Sequence, residues 1–114
     1  MEMVWLEPWV LIEDLDWDAQ KKRDYCIGWE GQLKREVGPR HALFGKEASL
    51  IARRFDRDDE LFQLEGLEVA EVHLTWARGM EADPRWPNAA IFASLENWQT
   101  ESMTAQHREW NLDE

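Results

Sequence analysis

Eight tryptophans fall within 114 residues: Trp5, Trp9, Trp17, Trp29, Trp76, Trp86, Trp98 and Trp110. Each indole buries roughly 200 Å² when fully enclosed. A core built from so short a chain cannot hide all eight. Some must hold the fold together, and the others must line a cleft or lie under a partner. Trp29, Trp76 and Trp98 fall on the apolar faces of predicted elements and are expected in the core. Trp17 sits at a helix start and fits either role. Trp5, Trp9, Trp86 and Trp110 lie near the ends or in a proline-flanked loop and are the candidates for a binding surface.

The length is that of one domain, 1–114, with room for a real core without metal or disulfide staples. The apolar fraction of 44% is that of a folded globule, so the formal charge of −11 does not imply disorder. Residues 1–36, 37–79 and 80–114 carry net charges of −4, −2 and −5. No segment supplies the basic footprint that a phosphate backbone or an anionic bilayer requires. The expected partner is a protein, with a basic one favoured because a negative field steers it in, or a second copy in a homodimer; nucleic acid and membrane are not expected. Cys26 is the single cysteine. The absence of a signal-like start and of a long apolar run gives the expectation of a cytoplasmic protein.

Periodicity divides the chain. Tyr25, Trp29, Leu33 and Val37 recur every four residues beside Cys26, the apolar stripe of a helix over about 17–37, capped by Asp16 or Asp18 and stopped by Gly38-Pro39. Ala70, Val72, Leu74 and Trp76 alternate with Glu71, His73 and Thr75, the period of a half-buried strand. Strand-like runs on either side and the turn signals Arg57-Asp58-Asp59 and Gly66 complete a meander. Ser94 opens a second helix, on whose apolar side Gln99, Ser102 and Gln106 intrude and would need partners if buried. Trp9-Val10-Leu11-Ile12 fits either a strand or a helical turn. The expected fold is therefore α+β: a small antiparallel sheet of three to four strands (about 47–55, 60–65, 68–76 and 89–93) packed against two helices (about 17–37 and 94–110).

Glu36, His41-Ala42-Leu43-Phe44-Gly45, Ile51-Ala52-Arg53-Arg54, Asp58-Asp59-Glu60-Leu61-Phe62, Val72-His73-Leu74-Thr75-Trp76, Trp86-Pro87, Ile91-Phe92 and Ser94-Leu95-Glu96 together resemble a family of small bacterial proteins of unknown function. The resemblance spans about residues 29–110. It implies a stand-alone small domain and carries over no activity and no functional residue.

Signals for chemistry are sparse. His41, His73 and His107 are each more than thirty residues apart, unlike the close ligand pairs of a metal site. Cys26 falls on an apolar stripe, where a thiol behaves as a small hydrophobe rather than a nucleophile. Asp56, Asp58, Asp59 and Glu60 form an acidic cluster with Arg53, Arg54 and Arg57 close enough to neutralise it across a hairpin. No catalytic residue, metal or cofactor is expected. The leading reading is a non-enzymatic, acidic protein-interaction module of the inhibitor or immunity type, with Trp5, Trp9, Trp86, Trp110, Asp58 and Asp59 as its surface. The alternative is a small enzyme or ligand-binding protein with a tryptophan-lined pocket around His73, using His41, Arg53 and Thr75. A third reading is a self-associating structural protein.

Overall fold

The computed structural model describes residues 4–112. Five strands form one antiparallel sheet in chain order: β1 (Trp9–Leu11), β2 (Ser49–Arg54), β3 (Asp59–Gln63), β4 (Val69–His73) and β5 (Asn88–Phe92). Helix α1 (Ala19–Glu36) separates β1 from β2. A second helical stretch follows β5: α2 (Leu95–Trp98), a π turn at Gln99–Met103, and α3 (Thr104–Leu112). The fold is α+β as expected. The sheet has five strands rather than three or four, because Trp9–Leu11 pairs with Arg54, Arg53 and Ala52 at the edge of β2.

The two helical stretches pack on opposite faces of the sheet. On one face, Trp29, Leu33 and Val37 meet Leu50, Phe62, Ala70, Val72 and Leu74. On the other, Trp98 and Met103 meet Trp9, Ala52, Leu61 and Val69. The period of two explains how Leu61 and Phe62, adjacent in β3, serve different cores. A bulge explains the same for β2. Leu50 pairs with Phe62 and Ala52 with Leu61, so one extra residue, Ile51, turns the strand over between them.

The Asp18 carboxylate caps α1 by accepting from the Lys21 backbone N–H at 2.7 Å, and Lys34 and Arg35 lie in its last turn where the helix dipole favours cations. Beyond it, Gly38 is required by a close approach. A Cβ there would come within 3.0 Å of the Glu81 carbonyl oxygen and 3.1 Å of the Met80 side chain. Ser94 caps α2 as expected, accepting from the Asn97 N–H. The polar residues on the inner side of this helical stretch find a partner in β4. Glu71 accepts from the Trp98 indole at 2.8 Å, from the Ser102 hydroxyl and from the Gln106 amide.

Two tryptophan expectations are corrected. Trp9 is 2% exposed and belongs to the core: it stacks edge-on against Trp98 at 5.0 Å, and its indole N–H donates to Gln106. Trp76, expected in the core at the end of a strand over 68–76, is 47% exposed. Strand β4 ends at His73, and Trp76 takes a left-handed backbone conformation (φ 59°) that turns its side chain off the sheet. No helix among the described residues is long and apolar enough to cross a membrane.

Candidate functional site at the turn end of the sheet

Antiparallel order places the β2–β3 turn (residues 55–58) and the β4–β5 loop (residues 74–87) at the same end of the sheet. Most of the large exposed apolar side chains nearby come from these two connections: Phe55, Trp76, Met80 and Trp86. Trp110 reaches this end from α3 and stacks edge-on against Phe55 at 5.4 Å.

Trp76 is held rigidly although it is half exposed. The buried carboxylate of Glu36, at the last turn of α1, accepts from the Thr75 N–H at 2.8 Å and from the Trp76 N–H at 2.9 Å. Gln32 donates to the same carboxylate at 2.6 Å. These bonds take the chain off the β ladder and account for the positive φ. The Trp76 indole N–H then donates to Asp58 at 3.1 Å, and its ring packs edge-on against Trp29 at 4.7 Å. Trp29 continues an aromatic row through Tyr25 to Trp17, at 5.6 and 5.1 Å.

Beneath this row lies Glu60, fully buried on the α1 face between Arg53 of β2 and Val72 of β4. Burial pushes its carboxyl up to about 9; Arg53 opposes that shift, and Asp58 and Asp59 add to it. Glu60 is therefore a neutral acid near pH 7. Arg53 itself donates to the Tyr25 hydroxyl at 2.6 Å and lies over the Tyr25 and Trp29 rings.

The opposite face of the same end carries a polar cleft of about 270 Å³, lined by Arg57, Asp59, Glu71, His73, Asn88 and Ala90. Asp59 is buried; its carboxylate lies 2.6 Å from Nδ1 of His73 and accepts from Arg57. The contact holds Nδ1 of an imidazole that is itself half exposed. The cleft lining contains neither a hydroxyl nor a thiol to act as a nucleophile. Cys26 is far from it on α1, with its thiol pushed up by burial and by Glu30.

The residues singled out from the sequence thus separate. Asp58, Asp59, Trp86 and Trp110 lie at the same end of the sheet on different partners: Asp58 holds Trp76, Asp59 holds His73, Trp110 stacks on Phe55, and Trp86 is 44% exposed. Trp5 is half-buried and stacks on Trp98, beside the second core. The four residues of the alternative pocket are not brought together. His73 faces the polar cleft, Arg53 the aromatic row on the other side, and Thr75 the Glu36 carboxylate. His41 is buried in the loop after α1, its Nδ1 accepting from the Leu43 N–H and its Nε2 lying 2.8 Å from the Pro87 carbonyl. No tryptophan lines the cleft around His73. Among the described residues, no group of three or more His, Cys, Asp or Glu side chains is arranged to hold a metal ion.

Sequence reasoning singled out Glu36 only within the resemblance and gave it no role, gave none to Phe55, and did not foresee the outward turn of Trp76. The only local signal for the last was the Ala77-Arg78-Gly79 break that follows it. No family model, no curated protein and no solved structure matches this chain.

Proposed function

We propose that the chain is a protein-interaction module of the inhibitor or immunity type, and that the turn end of the sheet is its binding surface. The observation that carries this reading is Trp76: a half-exposed indole fixed at its backbone by Glu36, at its N–H by Asp58 and at its ring by the edge-on contact with Trp29. Interface hot spots are enriched in tryptophan. An anchor already locked in one conformation loses little freedom on binding. Phe55 and Trp86 extend the apolar area, and the net charge of −11 favours a basic partner through long-range steering.

The test is affinity capture from a lysate of the source cell with three baits: the native chain, Trp76→Ala, and Asp58→Lys. A basic protein retained by the native chain and lost from both variants is the expected result. No specific protein, or one retained equally by all three baits, overturns the reading.

A further inference from the structure

The two edges of the sheet are protected very differently. Strand β1 has three residues, follows Pro8, which has no N–H to donate, and runs directly into a 3₁₀ turn at Ile12–Asp14. Strand β5 has five residues in unbroken register with β4, from Val69 opposite Phe92 to His73 opposite Asn88. It contains no bulge, no proline and no charged side chain, whereas β2, β3 and β4 each carry charge. Asn88, Ala90 and Ile91 are exposed along it. Edge strands offer a row of unpaired backbone donors and acceptors, and natural sheets blunt them with lysine, proline, bulges or a covering element. Pro87 precedes β5 as Pro8 precedes β1, but within the five residues of β5 itself there is no lysine, proline or bulge.

We propose that β5 pairs antiparallel with β5 of a second copy of this chain, with the two-fold axis passing beside Ala90. A second copy fits because the strand is complementary to itself. With Ala90 opposite Ala90, Ala89 meets Ile91 and Asn88 meets Phe92, so no like charges oppose one another. In a chain of net charge −11 that condition is restrictive. Of the two edge strands among the described residues, β5, with five residues, is the one long enough to form such a ladder. The contact is isologous, joins two five-stranded sheets into one, and leaves Trp76 free. The charge on each copy opposes it, so the dimer tightens as salt is added.

Sedimentation equilibrium on the full chain tests this, over protein concentrations of about 1 µM to 1 mM, the span in which contacts of this size dissociate. The expected result is a monomer–dimer equilibrium tightened roughly fivefold or more between about 20 mM and 500 mM salt. Ala90→Glu and Ala90→Lys, both at an exposed position, should each be monomeric with native circular dichroism. An equimolar mixture of the two should form a heterodimer, since opposite charges then meet at the axis. If either variant fails to fold, Ile91→Glu and Ile91→Lys, at an exposed position whose two copies lie diagonally across the axis about 7–8 Å apart, replace the pair. A native chain that stays monomeric throughout overturns the proposal. So does a dimer that is unchanged in these variants, or one abolished instead by Val10→Glu on the other edge.

Discussion

Glu60 sits directly across the β2–β3 ladder from Arg53, yet neither of its carboxylate oxygens receives a hydrogen bond from any described residue. Arg53 turns away to Tyr25 and to the Arg54 carbonyl. Placing an acid under aromatic rings without donors costs stability, and the cost rises when the acid is charged. The fold therefore keeps Glu60 protonated.

A pH dependence follows. The folded state holds the Glu60 proton up to about pH 9, while the unfolded chain releases it near the ordinary glutamate value of 4.5. Between those limits the folded state binds more protons. This group's contribution is fully present below the unfolded value and is lost as pH rises through the window, by at most about 1.4 kcal/mol per pH unit. Glu60→Gln mimics the neutral acid. It should raise stability by about 1–3 kcal/mol at pH 7, by more at pH 9, and by little at pH 4. Urea titrations of both proteins across this range check it; parallel curves at every pH would contradict a buried neutral Glu60.

Glu36 is the fixed point of the candidate site. Glu36→Ala strands the N–H groups of Thr75 and Trp76 and the amide of Gln32. It should cost about 2–4 kcal/mol, because donors left without an acceptor cost about 1–3 kcal/mol each where they are buried. It should also release residues 74–77, so that hydrogen exchange at Thr75 and Trp76 accelerates well before global unfolding. Slow exchange at both amides in the variant would remove Glu36 as the anchor.

On the other face, Glu71 gathers Trp98, Ser102 and Gln106, and Gln106 in turn accepts from Trp9 and Arg54. Glu71→Ala should lower stability by about 2–4 kcal/mol and loosen the packing of Trp98, seen as loss of near-ultraviolet circular dichroism. Retention of that signal with unchanged stability would show that apolar packing alone holds the C-terminal helical stretch.

Much of this arrangement was legible from residue order. The Tyr25-Trp29-Leu33-Val37 stripe and the Val69–His73 alternation both follow from the period of their element. Ser102 and Gln106 stood out as polar residues on an apolar side, and the need for a partner was readable although Glu71 as that partner was not. What escaped was set by distant contacts. Alternation continues in sequence through Trp76, but Glu36, forty residues earlier, captures the backbone at Thr75 and Trp76 and ends the strand. Trp9 sits in a run too short for periodicity to decide; its burial depends on pairing with β2, more than forty residues away. The His73–Asp59 contact likewise exists only once β3 and β4 are in register.

Tryptophan fluorescence separates the two populations. Trp76 and Trp86 should be open to acrylamide, while Trp9 and Trp98 should not. Replacing Trp76 and Trp86 together by Phe should remove most of the readily quenched emission. Replacing Trp98 by Phe should remove emission that resists quenching. An unchanged quenching curve in the first variant would place those indoles inside.

The most direct test of the binding surface is calorimetric affinity for the captured basic partner, compared across the native chain, Trp76→Ala and Leu67→Ala. Leu67 is 77% exposed in the β3–β4 turn, at the opposite end of the sheet. The expected result is a loss of roughly thirtyfold or more for Trp76→Ala, the effect of about 2 kcal/mol that marks a hot spot, with Leu67→Ala unchanged. Affinities within about twofold for native and Trp76→Ala proteins, or a loss confined to Leu67→Ala, would contradict it.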